Sequence, residues 1–456
     1  MKTDRAEIVV IGAGIVGLAC AYYLSSRHRG NGVRIVDARS PMSLTSAASG
    51  ENYRNWWPHP TMTAFTDYSI DLLESIARES VNRIHMTRRG YVLATRQADA
   101  AALLAQLKIG YGKEGAERVR FHVSGFSETY RPAELSDWEN APNGVDVIQD
   151  RSVIRQWFPS FDPEIATLIH IRRAGDISGQ QLGALMLEHV RSSGGSLKAA
   201  RVMAIEKGSE FVLTLQGQDG VEGLRADVVV NAAGPYAGDI ADMLGEPLPI
   251  MNVYQQKIAL ADSEGAIDRR MPFSIDLDPQ ILDWTDEERA TLREDGTTHW
   301  LTEPMPGAIH CRPEGGEAGK WIKLGWAYNR TPSKPRDDPA PDPSFPDIVL
   351  RGASRLHPRL KGYWGRLPRQ MSHYGGYYSM TKENWPLIGP MKTRGAYVAG
   401  ALSGFGTMGA CAAGALCAAW VHDAPLPAFA SQLSLARYDD EKLMQQLLGG
   451  ADTGVL

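Results

Sequence analysis

Three glycines, Gly12, Gly14 and Gly17, fall in "EIVVIGAGIVGLACAYYL", and an acid, Asp37, ends the next apolar run 20 residues after the last of them. Those types at that spacing suit a diphosphate linked to an unphosphorylated ribose. Gly12 permits the tight turn, Gly14 lets backbone approach a pyrophosphate, and Gly17 lets a helix lie close on the preceding strand. A helix starting there aims unpaired N–H groups and a positive dipole end at phosphate. Asp37 can accept bonds from the ribose 2′- and 3′-hydroxyls and disfavours a 2′-phosphate. The fingerprint alone does not separate NAD from FAD.

A second glycine turn follows far along the chain, in "AYVAGALSGFGTMGACAAGAL" at 396–416. One dinucleotide has one pyrophosphate, so a second helix N-terminus needs another electron-rich target. A flavin ring has one, the N1/C2=O edge that gains negative charge on reduction. Two such turns therefore fit FAD clamped at both ends. The run "GACAAGAL" can also be read as a small-residue helix packed close against a neighbour.

The elements that must position these turns read directly: strand "EIVVI", helix "LACAYYLSSR", strand "GVRIVD", and near the end strand "AYVAGA" followed by a helix. At 456 residues the chain exceeds a usual single core, so two domains are expected. The net charge is -5 with no dense Lys/Arg block, which leaves no invitation to nucleic acid or an anionic membrane and points to small-molecule partners. No apolar run reaches about 18 residues, so no membrane span is expected. The basic start and apolar run of the N-terminus look like a signal peptide, but the three glycines and polar helix end argue against one. Cys20, Cys311, Cys411 and Cys417 are scattered and form no C-x-x-C pair, so neither a disulfide framework nor a metal site is expected, and a cytoplasmic location fits. Ser403 in "LSGFG" lacks the hydrolase elbow G-x-S-x-G.

In order along the chain, the fingerprint with Asp37, "SAASGENYR", "AGDISGQQLGALMLEHVRSSGG", "ADVVVNAAGPYAG", "CRPEGG" with "KWIKLGW", "TKENWPLIGP" and "GALSGFGTMG" resemble the D-amino-acid oxidase superfamily of FAD enzymes. Within it they are similar to the monomeric sarcosine oxidase and glycine oxidase branch. The resemblance implies an α/β fold: a Rossmann-like FAD-binding domain from segments 1–88, 150–238 and 366–430, interleaved with an α+β substrate domain on an antiparallel sheet from 89–149 and 239–365. A C-terminal helix would occupy 431–456. The stretch 330–346 holds six prolines and must be an irregular surface loop.

The cofactor contacts so implied lie at Gly12, Gly14, Ile15, Val16, Gly17, Asp37, Ala38 and Arg39. Further contacts fall at Ser49, Gly50 and Asn52, at Val202, Ala233 and Gly234, and in the last turn at Ser403, Gly404, Phe405, Gly406, Thr407 and Met408. Lys323 matches the lysine that, in sarcosine oxidase-like enzymes, helps dioxygen accept electrons; a fixed cation in a dry site stabilises superoxide. A strand lysine is otherwise a solvated one, and the alternation in "WIKLGW" leaves its face open. Gly376 stands where the sarcosine enzymes carry a flavin-linking cysteine, so the FAD is expected to be noncovalent. Met408 replaces a carboxylate-holding lysine and Ala327 a histidine, which speaks against small amino acids such as sarcosine as substrates.

Trp56, Trp57, Trp326, Tyr328, Tyr374, Tyr377 and Tyr378 offer aromatic walls, or core aromatics, with Trp56, Trp326 and Met408 the expected substrate contacts. Arg54 is the candidate carboxylate clamp, and Tyr374, His373 and His59 are candidates to orient or accept a proton. The implied reaction is oxidation of a C–N bond of a secondary or primary amine, an N-substituted amino acid or a bulky amine, to an imine with O2 reduced to H2O2. The alternatives are a dehydrogenase feeding a quinone or carrier protein, and a flavin-binding subunit of a larger complex.

Overall fold

The computed structural model describes residues 3–26, 32–112, 117–124, 130–134, 137–316 and 318–449. The β-branched run at the N-terminus forms the central strand Thr3–Ile11, parallel to Val33–Asp37 on one side and to Gly220–Asn231 on the other. Ser196–Ala199 extends the sheet past Val33–Asp37, and Ala396–Gly400 lies parallel to the far end of Gly220–Asn231. Ile8, Val9 and Val10 are at most 1% exposed because both faces of this part of the sheet are covered: Ile8 and Val10 pack with helices Ile15–Ser25 and Gly406–Val421, and Val9 with residues of Arg201–Lys207 and Phe211–Gly217.

Helix Ile15–Ser25 packs on helix Gly406–Val421 so closely that a Cβ at Gly414 would meet the Ala19 backbone at 2.5 Å. The small residues of "GACAAGAL" thus serve close packing, and the same helix also begins at a cofactor-facing turn. The two readings are compatible.

A second sheet has nine strands, in the order Met371–Met380, Met251–Ala261, Trp321–Trp326, Ile309–Glu314, Phe273–Asp276, Tyr91–Thr95, Thr167–Ile171, Val145–Ile148 and Val119–His122. It is mixed, where an antiparallel sheet was expected. Phe273–Asp276 lies parallel to Tyr91–Thr95, and Val119–His122 lies parallel to Val145–Ile148. The first parallel pair joins two segments far apart in the chain, which no hairpin constrains to run antiparallel. Thr167–Ile171 and Met371–Met380, which the segment limits above assign to the cofactor-binding part, are hydrogen-bonded into this sheet.

The proline-rich stretch is irregular up to Ser344, as its composition requires, but it is tied down. Ser333 N–H donates to the Asn252 carbonyl at 2.8 Å and Arg336 N–H to the Tyr377 hydroxyl at 3.0 Å. After 430 come two short 3-10 turns and helix Glu441–Gly449; the remaining residues of the expected terminal helix lie outside the described ones. This tail is anchored by the buried Arg437, whose Nε donates to Glu383 at 2.7 Å. Among the described residues no helix is long and apolar enough to cross a membrane.

Candidate functional site: one cavity between two helix N-termini

Both glycine turns line a single cavity of about 370 Å³. At its first end Gly12 has φ +109°, and a Cβ there would stand 2.3 Å from the Ala232 carbonyl oxygen. A Gly12→Ala chain is therefore expected to lose FAD binding while keeping its other strands, measured as loss of flavin absorbance after gel filtration; retention of stoichiometric flavin would refute the assigned turn. Asp37 accepts from Ala13 N–H at 2.6 Å and from Arg39 N–H at 2.8 Å, which fixes the carboxylate on the cavity wall. Ser46 accepts from Ile15 N–H at 3.0 Å, so a loop hydroxyl braces the helix start.

At the other end the turn is strained. Ala401 and Ser403 adopt left-handed φ of 56° and 44°, conformations that side chains other than glycine's rarely take. Ser403 N–H donates to the Ser379 carbonyl at 2.9 Å, which holds the turn. Helix Gly406–Val421 begins with no side-chain cap, leaving its first N–H groups to the cavity. The Thr407 and Ser49 hydroxyls are hydrogen-bonded at 2.8 Å across it.

Of the cofactor contacts read from the sequence, Gly12, Gly14, Ile15, Val16, Asp37, Ala38, Arg39, Ser49 and Gly50 line this cavity. Val202, Ala233, Gly234, Ser403, Gly404, Gly406 and Thr407 do so as well. Gly17 instead packs on the turn, where a Cβ would meet the Gly12 carbonyl oxygen at 2.0 Å, so its role is close packing. Asn52, Phe405 and Met408 face a smaller adjoining pocket of about 70 Å³. Gly376 lines the main cavity, and all four cysteines are buried outside the two sets of lining residues.

The smaller pocket shares Ser49, Gly50, Lys257, Tyr378, Ser403, Gly404 and Thr407 with the main cavity. Arg54 lies in its wall, 0% exposed, with its guanidinium 4.7 Å from the Tyr91 ring centroid and 4.9 Å from that of Trp57. Its Nε donates to the Trp56 carbonyl at 3.1 Å, and its two terminal nitrogens are buried beside Tyr91. Among the described residues no carboxylate is paired with it. Burying a cation with no carboxylate beside it is costly, and the Trp57 and Tyr91 rings offset part of that cost.

Lys257 stands where the two spaces meet. It is buried, and its Nζ donates to the Ala48 carbonyl at 3.1 Å. Burial, reinforced by the charge of Lys323, pulls its pKa down to about 8. His310 also faces the pocket, and burial pushes its pKa down to about 3, so it is neutral at physiological pH.

Several residues singled out in the sequence sit elsewhere. Lys323 lines neither space; its Nζ is 2.9 Å from both Glu51 and Glu314. Tyr374 is register-paired with Lys257 but is not a lining residue. His373, one position along, points to the opposite face, stacks on Phe345 at 5.6 Å and hydrogen-bonds Gln256. Trp326 is on that same outer face, 1% exposed, with its indole N–H directed at the Pro306 and Gly307 carbonyls, and Tyr328 packs edge-on against it. Trp56 is buried among Tyr91, Leu93 and Ile169. His59 caps helix Pro60–Glu79 by accepting from Thr61 N–H. Tyr377 and Tyr378 do line the main cavity, and Ala327 the smaller pocket. Lys257 and Glu51 were not foreseen. The only signal for Lys257 was a lysine inside the otherwise apolar strand "KIAL", since a chain does not bury that charge without use.

A domain with a parallel central sheet flanked by antiparallel strands that presents two helix N-termini to one cavity, with an acid at the ribose position and a pocket holding Arg54 and Lys257 beside the far end, defines a protein built to hold an extended dinucleotide and carry out redox chemistry at its distal ring. Residues 7–420 match the FAD dependent oxidoreductase (DAO) family, and the chain belongs to it. A D-amino acid dehydrogenase 3 of Mesorhizobium japonicum is 24% identical over 331 residues, 64% of this chain and 77% of that one. Among solved structures, L-proline dehydrogenase from P. horikoshii superposes with TM-score 0.70 at 18% identity, covering 96% of this chain and 99% of that chain. Glycine oxidase from Geobacillus kaustophilus superposes with TM-score 0.70 at 16% identity, covering 95% and 99%.

Proposed function

We propose that the protein oxidises the C–N bond of a carboxylate-bearing amine, an α-amino acid or N-substituted amino acid, to the imine and passes the two electrons to O2, giving H2O2. The observation that carries the carboxylate in this reading is Arg54, a wholly buried guanidinium that has no carboxylate paired with it among the described residues, in the wall of the pocket beside the flavin end of the cavity. A planar fork of donors suits a carboxylate held bidentately. The pocket is small and rimmed by Tyr91, Phe273, Phe405 and Met408, which favours an amino acid over a bulky amine. The relatives named for amino acid and glycine oxidation are consistent with that class.

FAD, held by the two turns, Asp37 and the loop around Ser49, supplies acceptance of a hydride equivalent. The chain's own groups do the rest. Arg54 would fix the carboxylate and so aim the α-carbon, and Lys257 would present a cation where the pocket meets the cavity, beside an oxygen anion formed there. The second reading is a dehydrogenase that uses an organic electron acceptor, and two named relatives support it. The experiment pairs each amino acid of an N-methyl, D-, L- and cyclic panel with its decarboxylated amine and records peroxide release. Turnover of acids but not of their amines, with flavin released to the supernatant on acid precipitation, is expected. Equal turnover of both partners would remove the clamp, and turnover only with an added quinone would favour the second reading.

A further inference from the structure

Lys323 belongs to a compact set of ion pairs behind the loop that carries Ser49 and Gly50. Its Nζ bridges Glu51 and Glu314 at 2.9 Å each. Glu314 is 2.7 Å from Arg312, Arg312 is 3.5 Å from Glu51 and from Asp176, and Asp176 is 3.6 Å from Arg89. Lys323, Arg312 and Arg89 balance Glu51, Glu314 and Asp176 charge for charge. Arg312 and Arg89 are almost fully buried, so their carboxylates are not interchangeable with solvent.

Glu51 is the member that touches the site. Its backbone is left-handed, φ 59°, which a glutamate does not adopt without compensation. Both carboxylate oxygens are held, one by Gly179 N–H at the start of helix Gly179–Ser192 at 2.9 Å, the other by Lys323. Arg312 Nε donates to the Gly50 carbonyl at 3.1 Å, and Ile177 N–H donates to the Glu51 carbonyl at 3.0 Å. The residues before Glu51, Ser49 and Gly50, line both the cavity and the pocket; three residues after it comes Arg54. Lys323 and Arg312 are on the nine-stranded sheet, while Glu51 and Gly179 belong to the cofactor-binding part.

We infer that Lys323 is a positioning residue: acting through Glu51, it locks the strained loop 49–52 against the cofactor and ties that loop to the nine-stranded sheet. Several partners over-determine one backbone conformation, which is how strain persists at a functional site. Removing Lys323 leaves Glu51 and Glu314 sharing one arginine and frees the loop to relax. The inference rests on the cavity being the FAD site, but its readouts need neither substrate nor turnover, so it fails separately from the proposed reaction.

The test compares wild type with Lys323→Met, Lys323→Arg, Glu51→Gln and the Lys323→Met/Glu51→Gln pair. FAD affinity is followed by flavin fluorescence, and ring environment by visible circular dichroism of the bound flavin. Lys323→Met and Glu51→Gln should each weaken FAD binding about tenfold and alter the flavin dichroism alike, and the double variant should be no worse than either, as coupled neighbours behave. Lys323→Arg should recover most of the affinity and the wild-type spectrum. Should Lys323→Met fail to fold, Glu51→Gln, close in volume, carries the same expectation. Multiplying effects in the double variant would overturn the inference. So would wild-type affinity and dichroism in Lys323→Met or Glu51→Gln, or a hundredfold loss of O2 reactivity in Lys323→Met with both unchanged.

Discussion

Arg54→Met is expected to lower kcat/KM for the amino acid substrate by roughly a hundred- to a thousandfold, because truncating one partner of a buried charge pair costs about 2–5 kcal/mol. The loss falls mainly on KM if the carboxylate is bound equally in the ground and transition states, and on kcat to the extent that the clamp aims the α-carbon. Arg54→Lys keeps the charge and loses the fork, so a large part of the loss persists. The side chain also stacks between Tyr91 and Trp57 and holds the Trp56 carbonyl. Stoichiometric FAD and an unchanged flavin spectrum must therefore accompany the loss for it to report on substrate. The discriminating measurement is the ratio of kcat/KM for an amino acid to that for its decarboxylated amine. That ratio should collapse toward one in the variant, and a ratio unchanged within about threefold would end Arg54's role as clamp.

The parts of this site that were legible in the sequence are those fixed by local backbone. Gly17 is required by a contact within one strand–turn–helix unit, Gly12 by the φ of +109° that the turn itself demands, and Asp37 by the length of that unit, so spacing alone located them. Arg54 was singled out by type, and the structure puts it in the wall of the smaller pocket. The placement of the two lysines was not legible. Lys257 pairs with Gly325 and Ala259 with Lys323, so both lysines project from the same face of adjacent strands, two residues apart. Which of them reaches the cavity depends on Glu51 and Glu314, acids from other segments that draw Lys323 away. Strand parity, likewise set by non-local pairing, separates His373 from Tyr374 and carries Trp326 to the outer face. Trp326 lies away from the pocket for the same reason, whereas Tyr377 and Tyr378 do line the cavity: a tryptophan's type does not disclose which side of the sheet it faces.

Lys257→Met is expected to slow reoxidation of the reduced enzyme by O2 by about a hundred- to a thousandfold in stopped flow, the usual consequence of removing one preorganised charge from a water-excluded site. Transfer of electrons to a quinone, which requires no fixed cation for a nascent oxygen anion, should fall far less. The pH dependence has a definite sign. Burial lowers the Lys257 pKa from 10.5 to about 8, so the ammonium is present below about pH 8 and is lost above it. The O2 rate constant of wild type should therefore be level at low pH and decline as pH rises through about 8. An anion beside the lysine moves that break upward, and Lys257→Met should abolish it. Folding stability changes in the opposite sense. Between about 8 and 10.5 the unfolded chain binds more protons than the folded one, so the cost of burying the ammonium, present in full below the window, is relieved as pH rises through it. Apo-protein denaturation midpoints should rise across that interval in wild type more than in Lys257→Met. A wild-type O2 rate constant with no break between pH 7 and 10, together with rapid reoxidation of Lys257→Met, would remove Lys257 from the oxidative half of the reaction, whereas sluggish reoxidation of the wild type itself would leave the dehydrogenase reading standing.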